Sequence, residues 1–253
     1  SRSEGRTMVL TLSNPEHRNA LGPEIYAAGV EALNAADSNP DVRSVVITGD
    51  GGTFCAGGNL QRLLANRARP PEVQAQSLEG LHGWIEAIRT FPKPVIAAVE
   101  GAAAGAGFSL ALACDFIVAA DNAVFVMAYS SVALSPDGGG TWSLARALPR
   151  QLVSELLMGG ERVGAARLHA LGVVNRVTAP QAALAEALAL AERLNERAPN
   201  ALASVKELLN EAGEATLTQQ LRHESDHFVK NLHHPNAGIG IEAFLAKRKP
   251  DYS

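Results

Sequence analysis

The chain has 253 residues, 47% of them hydrophobic and 19% charged, with a formal net charge of -4. That length and apolar content suit an ordinary globular core and exclude a disulfide-stapled mini-protein, a disordered tail and a fibrous repeat. The mild acidity argues against nucleic acid as a partner, because a phosphate-binding face is normally basic.

The polar opening, residues 1–5, does not read as a signal peptide. Residues 7–13 (T-M-V-L-T-L-S) read as a strand, ended by the turn dipeptide Asn14-Pro15. Residues 23–36 space Ile25, Ala28, Gly29 and Leu33 as a helix does, with Pro23 where a first turn tolerates it. Residues 42–48 form a second strand, broken by the glycines of 49–52. The polar stretch 65–76 is expected to be a mobile loop, and 78–89 a helix stopped before Pro94. Residues 95–99 form a third strand, which enters the glycine-rich 101–107 and then a helix through Ala113. The run 95–113 comes nearest to a membrane span, but Glu100, Ser109 and its glycines interrupt the roughly 20 apolar residues that a span requires. Strands follow at 116–119 and 124–127.

Beyond Leu144 the texture is helical: 145–158, 165–170, 182–197, 200–211 and 217–232, with a brief strand at 172–177. Pro180, Pro199 and Gly213 punctuate these segments. Strands alternating with helices indicate an α/β class with crossover units. Cys55 and Cys114 sit beside alanines in apolar surroundings, which fits buried thiols, a reducing compartment and a cytoplasmic location.

Two small-residue loops stand between a strand and a helix, Phe54-Cys55-Ala56-Gly57-Gly58-Asn59-Leu60 and Gly101-Ala102-Ala103-Ala104-Gly105-Ala106-Gly107. Such loops leave N–H groups free at a helix N-terminus, and two of them converging would form an oxyanion hole. Tight turns and close packing call for the same residues. Gly105-Ala106-Gly107 does not continue as a dinucleotide-binding fingerprint. His233-His234 has neither the spacing nor the partners of a metal site, and no metal is expected.

Taken together, several ordered motifs resemble the enoyl-CoA hydratase/isomerase (crotonase) superfamily over almost the whole chain. They are Asn14-Pro15-Glu16-His17-Arg18-Asn19-Ala20-Leu21, Phe54-Cys55-Ala56-Gly57, Lys93 to Gly101, Ala104-Gly105-Ala106-Gly107, Cys114-Asp115, Pro136-Asp137-Gly138-Gly139-Gly140 and Phe244 to Pro250. The resemblance implies a spiral of β-β-α units over residues 1–195. A helical C-terminal region, 196–253, would build homotrimers or dimers of trimers. It also implies an acyl-CoA thioester as substrate, with coenzyme A part of that substrate and no separate cofactor. Gly58 and Ala106 would supply the oxyanion N–H groups. Arg18, Ala20, Ala56, Asn59, Leu60, Tyr129, Phe228 and Lys247 fall at substrate-binding positions, the last two reaching coenzyme A from a neighbouring subunit.

Two departures are informative. Hydratases of the superfamily carry glutamates where this chain has Ser109 and Tyr129. A hydroxyl and a phenol are poor bases near neutral pH, so two-glutamate hydration is disfavoured. The remaining carboxylate is Asp137. By itself Pro136-Asp137-Gly138 is a common turn signal. With the resemblance, the segment is most similar to the 1,2-epoxyphenylacetyl-CoA isomerase and enoyl-CoA isomerase branch of phenylacetate and fatty acid metabolism, where an acid here shuttles a proton. His82 and Asp137 also match catalytic positions of aryl-CoA dehalogenases, although the segment around His82 fits them poorly. The expected activity is therefore isomerisation through an enolate, by double-bond migration or epoxide opening. The alternatives are hydratase-like or dehalogenase-like chemistry, or a non-catalytic acyl-CoA binder. Leu63, Leu64, Trp84, Met127, Tyr129 and Trp142 are expected to line the acyl pocket.

Overall fold

The computed structural model describes residues 1–252 and arranges the sequence's short apolar runs as two sheets. The larger sheet has the order β1 (Arg2–Glu4), β2 (Thr7–Leu12), β3 (Ser44–Gly49), β4 (Val95–Val99), β6 (Phe116–Ala120) and β9 (Arg176–Thr178). Every neighbouring pair is parallel except β1 with β2. The smaller sheet joins β5 (Ala102–Ala104), β7 (Val124–Val126) and β8 (Val163–Gly164).

Side-chain alternation explains why β4 is buried throughout. Its odd-numbered residues, Val95, Ala97 and Val99, join the main core. Ile96 and Ala98 face the other way and pack with Val9, Val46 and Val118 against Ala183, Ala187 and Ala191 of α8 (Ala183–Asn195). A parallel strand covered on both faces needs this unbroken apolar run.

The spiral follows from the chain stepping between the sheets. Each turn places one strand in the large sheet, a shorter one in the small sheet, and then a helix. The turns are β3, Cys55 and α2 (Leu60–Asn66) with α3 (Pro71–Thr90); β4, β5 and α4 (Ala106–Ala113); and β6, β7 and α5 (Gly140–Ala147). Adjacent turns are laced together by Phe54 N–H to Glu100 O at 2.8 Å and Val124 N–H to Gly101 O at 2.7 Å. α1 (Pro23–Ser38) packs on α3 where Gly29 lies against the indole of Trp84.

Several expectations change. Residues 65–76 are not a loop: α2 and α3 occupy most of them, and only a short link separates Asn66 from Pro71. Asn59 caps α2 by accepting from Arg62 N–H, and Pro71 starts α3. The segment 145–158 divides at Pro149 into α5 and α6 (Arg150–Met158), and the strand expected at 172–177 begins only at Arg176. β1, β5 and α11 (Pro235–Leu245) are additional.

The last helices behave differently from the core. α9 (Pro199–Ala212) buries only Ser204, α10 (Leu217–Leu232) buries nothing, and α11 buries only Ala243. Lys206 ties α9 to the core through 2.8 Å to Asp115 Oδ2 and 2.9 Å to Ile88 O, while Asp115 accepts from Val95 N–H. Among the described residues, no helix is long and apolar enough to cross a membrane.

Candidate active site

Stacking of the spiral turns brings the ends of three second strands to one level. Cys55 pairs with Ala103 as an isolated parallel bridge, and β5 pairs with β7. The next residues on each turn are Gly57-Gly58, Gly105-Ala106 and Met127-Ala128-Tyr129. Gly57 (φ +89°) and Gly105 (φ +51°) turn the chain through backbone conformations that side chains rarely adopt. A Cβ at Gly57 would lie 2.6 Å from Ala104 O, so the approach of the two loops also requires glycine. The same position is 3.4 Å from Ala106 N, which puts the Gly58 and Ala106 loops side by side.

Among the described residues, neither the Gly58 nor the Ala106 N–H donates to another protein group. Gly58 is half-buried and Ala106 is buried, the latter opening α4, where helix N-terminal N–H groups carry partial positive charge. Two unpaired donors on adjacent loops can receive an oxygen that gains negative charge.

Tyr129 stands over this pair. Its hydroxyl lies 3.5 Å from where a Cβ of Gly105 would be, and donates to Asp137 Oδ1 at 2.6 Å. Ser109 Oγ, on α4, donates to the backbone carbonyl of Asp137 at 2.9 Å. The hydroxyls of Tyr129 and Ser109 therefore both bond to Asp137, one at its carboxylate and one at its backbone carbonyl. The glycines after it let the loop lie flat on α4: a Cβ at Gly140 would be 2.6 Å from Ser109 Oγ and 2.8 Å from Met127 Cε.

Burial pushes the Asp137 carboxyl above the usual carboxylate range, while the Tyr129 hydrogen bond and the charge of His82 pull it partly back. Burial and the charge of Asp137 push the Tyr129 phenol well above its ordinary value, so Tyr129 remains a donor. His82 is exposed on α3 and acts on Asp137 through its charge; among the described residues no hydrogen bond joins the two. Cys55 is buried, donates its Sγ hydrogen to Asn19 O at 3.2 Å, and has its thiol pushed up to about 12 by burial.

The other expected residues divide into two groups. Ala20, Ala56, Asn59 and Leu60 flank Gly58, and Arg18 holds this region through its carbonyl, which accepts from Ala56 N–H at 3.0 Å. The Arg18 side chain is exposed. Phe228 on α10 and Lys247 after α11 are also exposed, and α10 packs on α9 and α11 rather than on the oxyanion loops. Within one chain they do not join the site. Leu64 is 66% exposed. The expectation for Trp142 changes: on α5 its ring meets the guanidinium groups of Arg89 and Arg146, at 5.0 and 3.9 Å from the ring centroid. Trp84 and Met127 are buried, Trp84 against Tyr26 with ring centroids 6.5 Å apart.

Tyr26, Arg62 and Ser77 were absent from the expected site. Arg62 Nη1 donates to Ser77 Oγ at 2.9 Å, and the buried Tyr26 phenol is influenced by both Arg62 and Asp137. The signal that could have found Arg62 was the cap Asn59 followed by a helical Leu60, Leu63 and Leu64.

The enoyl-CoA hydratase/isomerase family profile matches residues 2–253. The 1,2-epoxyphenylacetyl-CoA isomerase of Escherichia coli (strain K12) is 35% identical over 100% of this chain and 97% of its own. The carnitinyl-CoA dehydratase of Citrobacter koseri is 36% identical, covering 97% of this chain and 94% of its own. A solved structure of an enoyl-CoA hydratase from Polaromonas sp. JS666 is 74% identical with TM-score 0.99, covering 100% of this chain and 98% of that one. The relatives thus bear isomerase, dehydratase and hydratase names.

Proposed function

The chain belongs to the enoyl-CoA hydratase/isomerase family, and from that premise we propose that it is an acyl-CoA isomerase with Asp137 as its single acid/base. The observation that carries this reading is the pair of bonds from Tyr129 and Ser109 to Asp137. The positions where the resemblance expects a hydratase's two glutamates, Ser109 and Tyr129, carry hydroxyls that instead bond to Asp137.

In the reaction, the thioester oxygen lies between the Gly58 and Ala106 N–H groups. Asp137 removes a proton from C2, and the electron pair of that C–H bond moves into an enolate whose oxygen the two donors hold. The same proton returns from Asp137 to C4, the C3–C4 double bond becomes C2–C3, and the carboxylate is regenerated. Burial favours this cycle, because a raised carboxyl acquires a proton more readily and returns it. An epoxide adjoining C2 opens by the same proton removal, its oxygen taking the electron pair. Coenzyme A arrives and leaves with the substrate, and no further cofactor enters. His82 moderates the charge of Asp137 from the solvent side.

The exposed apolar residues of the last helices, among them Leu209, Phe228, Phe244 and Leu245, support a homotrimer or dimer of trimers, which light scattering on the purified chain would measure directly. In such an assembly Phe228 and Lys247 would reach a neighbour's coenzyme A.

The activity test is to mix the protein with a 3-enoyl-CoA and follow conjugated thioester absorbance. A rise supports isomerisation. If no enoyl, epoxide or aryl-halide thioester turns over while CoA esters bind, the protein is a binder. Loss of 2-enoyl absorbance through added water would instead make it a hydratase.

A further inference from the structure

Other half-buried cations meet carboxylate or backbone oxygens: Lys206 meets Asp115, Lys93 donates to the carbonyls of Ala36, Asp37 and Asn39, and Arg43 donates through Nη2 to the carbonyl of Tyr252 while its Nη1 is left unpaired. Arg62 does not fit that pattern. Its Nη1 donates to Ser77 Oγ, and no carboxylate lies within 4.0 Å of it among the described residues. Its Nε is buried and has no hydrogen-bond partner. A guanidinium has five donors, and the two neutral hydroxyls it meets, Ser77 and the Tyr26 phenol, leave its Nε unpaired and its charge unanswered by any carboxylate.

The placement of Arg62 gives that imbalance a meaning. It lies four residues beyond Gly58 in the first turn of α2, next to Leu63, whose Cδ1 is 3.6 Å from where a Cβ of Gly58 would be. Ser77 holds it from α3. Tyr26 lies on the same side, its ring against Gly80 and Trp84 of α3. The phenol of Tyr26 is close enough to feel both Arg62 and Asp137. Ser77, which holds Arg62, precedes by one turn of α3 Leu81, whose Cδ2 is 3.5 Å from where a Cβ of Gly138 would be, so Arg62 and the loop that carries Asp137 lie along the same helix.

We propose that Arg62 is the specificity-determining residue of the acyl end, and that the acyl group carries a terminal carboxylate that pairs with its guanidinium. The inference rests on the acyl-CoA reading above and deepens it. A planar fork is suited to a carboxylate, and pairing in a half-buried setting discriminates strongly against an uncharged chain end. A neutral acyl chain of equal length would leave Arg62 as it stands, charged and underbonded.

The test compares unreactive adipoyl-CoA with hexanoyl-CoA by calorimetry, on the intact protein and on Arg62→Met. The intact protein should bind adipoyl-CoA more tightly, and the ratio of the two dissociation constants should fall roughly 30-fold or more in Arg62→Met. Arg62→Lys, which keeps the charge but loses the fork, should fall between them, and it replaces the methionine variant if that one does not fold. Equal binding of the two thioesters by the intact protein, or a ratio unmoved by both variants, overturns the proposal while leaving the acyl-CoA reading intact. If neither thioester binds, the acyl-CoA reading itself fails and takes this proposal with it.

Discussion

Tyr129→Phe isolates the bond on which the acid/base assignment depends. The substitution keeps the ring over Gly105 and removes only the hydroxyl that donates to Asp137 Oδ1 at 2.6 Å. A hydrogen bond to an ionised carboxylate contributes about 1.5–3 kcal/mol. That stabilisation belongs to the charged form, so its loss makes ionisation harder and adds to the upward push of burial. Where the intact enzyme's carboxyl titrates, the ratio of ionised to protonated Asp137 should fall roughly 10- to 150-fold. Measured as kcat/KM against pH on a 3-enoyl-CoA, the acidic limb should move to higher pH. Activity should recover on the alkaline side, where Asp137 ionises without help. Ser109→Ala is the comparison: its hydroxyl meets the backbone carbonyl of Asp137 and the Tyr129 phenol but not the carboxylate, so the limb should move much less than in Tyr129→Phe. A Tyr129→Phe limb that stays put, or moves to lower pH, would refute the reasoning.

Other consequences concern the scaffold. Lys206→Met should destabilise the fold by about 3–5 kcal/mol in urea titrations, because Asp115 is left buried and uncompensated; adding Asp115→Asn should recover part of that loss. The pH dependence has a definite sign. Burial already raises Asp115, and losing its lysine raises it further, so the deficit is greatest near neutrality and shrinks as the pH falls and Asp115 takes up a proton. Gly29→Ala should lower the melting temperature: helix propensity favours alanine by roughly 0.5–1 kcal/mol, but its Cβ would lie 2.2 Å from Trp84 Cε2, and overpacking costs about 1–3 kcal/mol. In a thiol-reagent assay Cys55 should react only on unfolding, since it is wholly buried and burial raises its thiol to about 12.

The α/β class and the two donor loops were legible because they depend on local pattern: alternating apolar strands, and glycines where backbones must nearly touch. Asp137 was legible through its Pro-Asp-Gly-Gly-Gly setting and the resemblance. Its partners were not. Tyr129 was expected to touch substrate and Ser109 to mark a lost function, and only the stacking of successive spiral turns shows that both bond to Asp137. The polar stretch at 65–76 misled because helix α3 begins at Pro71 with an exposed first turn, and its apolar face emerges only from Ser77 onward. Arg62 was hidden for the same reason, since a charged letter on an unrecognised helix reads as surface. Trp142 illustrates the opposite error: an aromatic beside the glycine loop suggested the acyl pocket, whereas on α5 its ring meets the guanidinium groups of two arginines.

The central claim, that one carboxylate carries the proton, is tested most directly by Asp137→Asn, with turnover of a 3-enoyl-CoA and binding of a non-reacting acyl-CoA measured on the same preparation. The account predicts a kcat lower by roughly 10²- to 10⁴-fold, the usual share of a positioned acid/base, with thioester affinity within a few-fold of the intact protein. An asparagine variant that turns over within about ten-fold of the intact enzyme would place the proton transfer on another residue and contradict it.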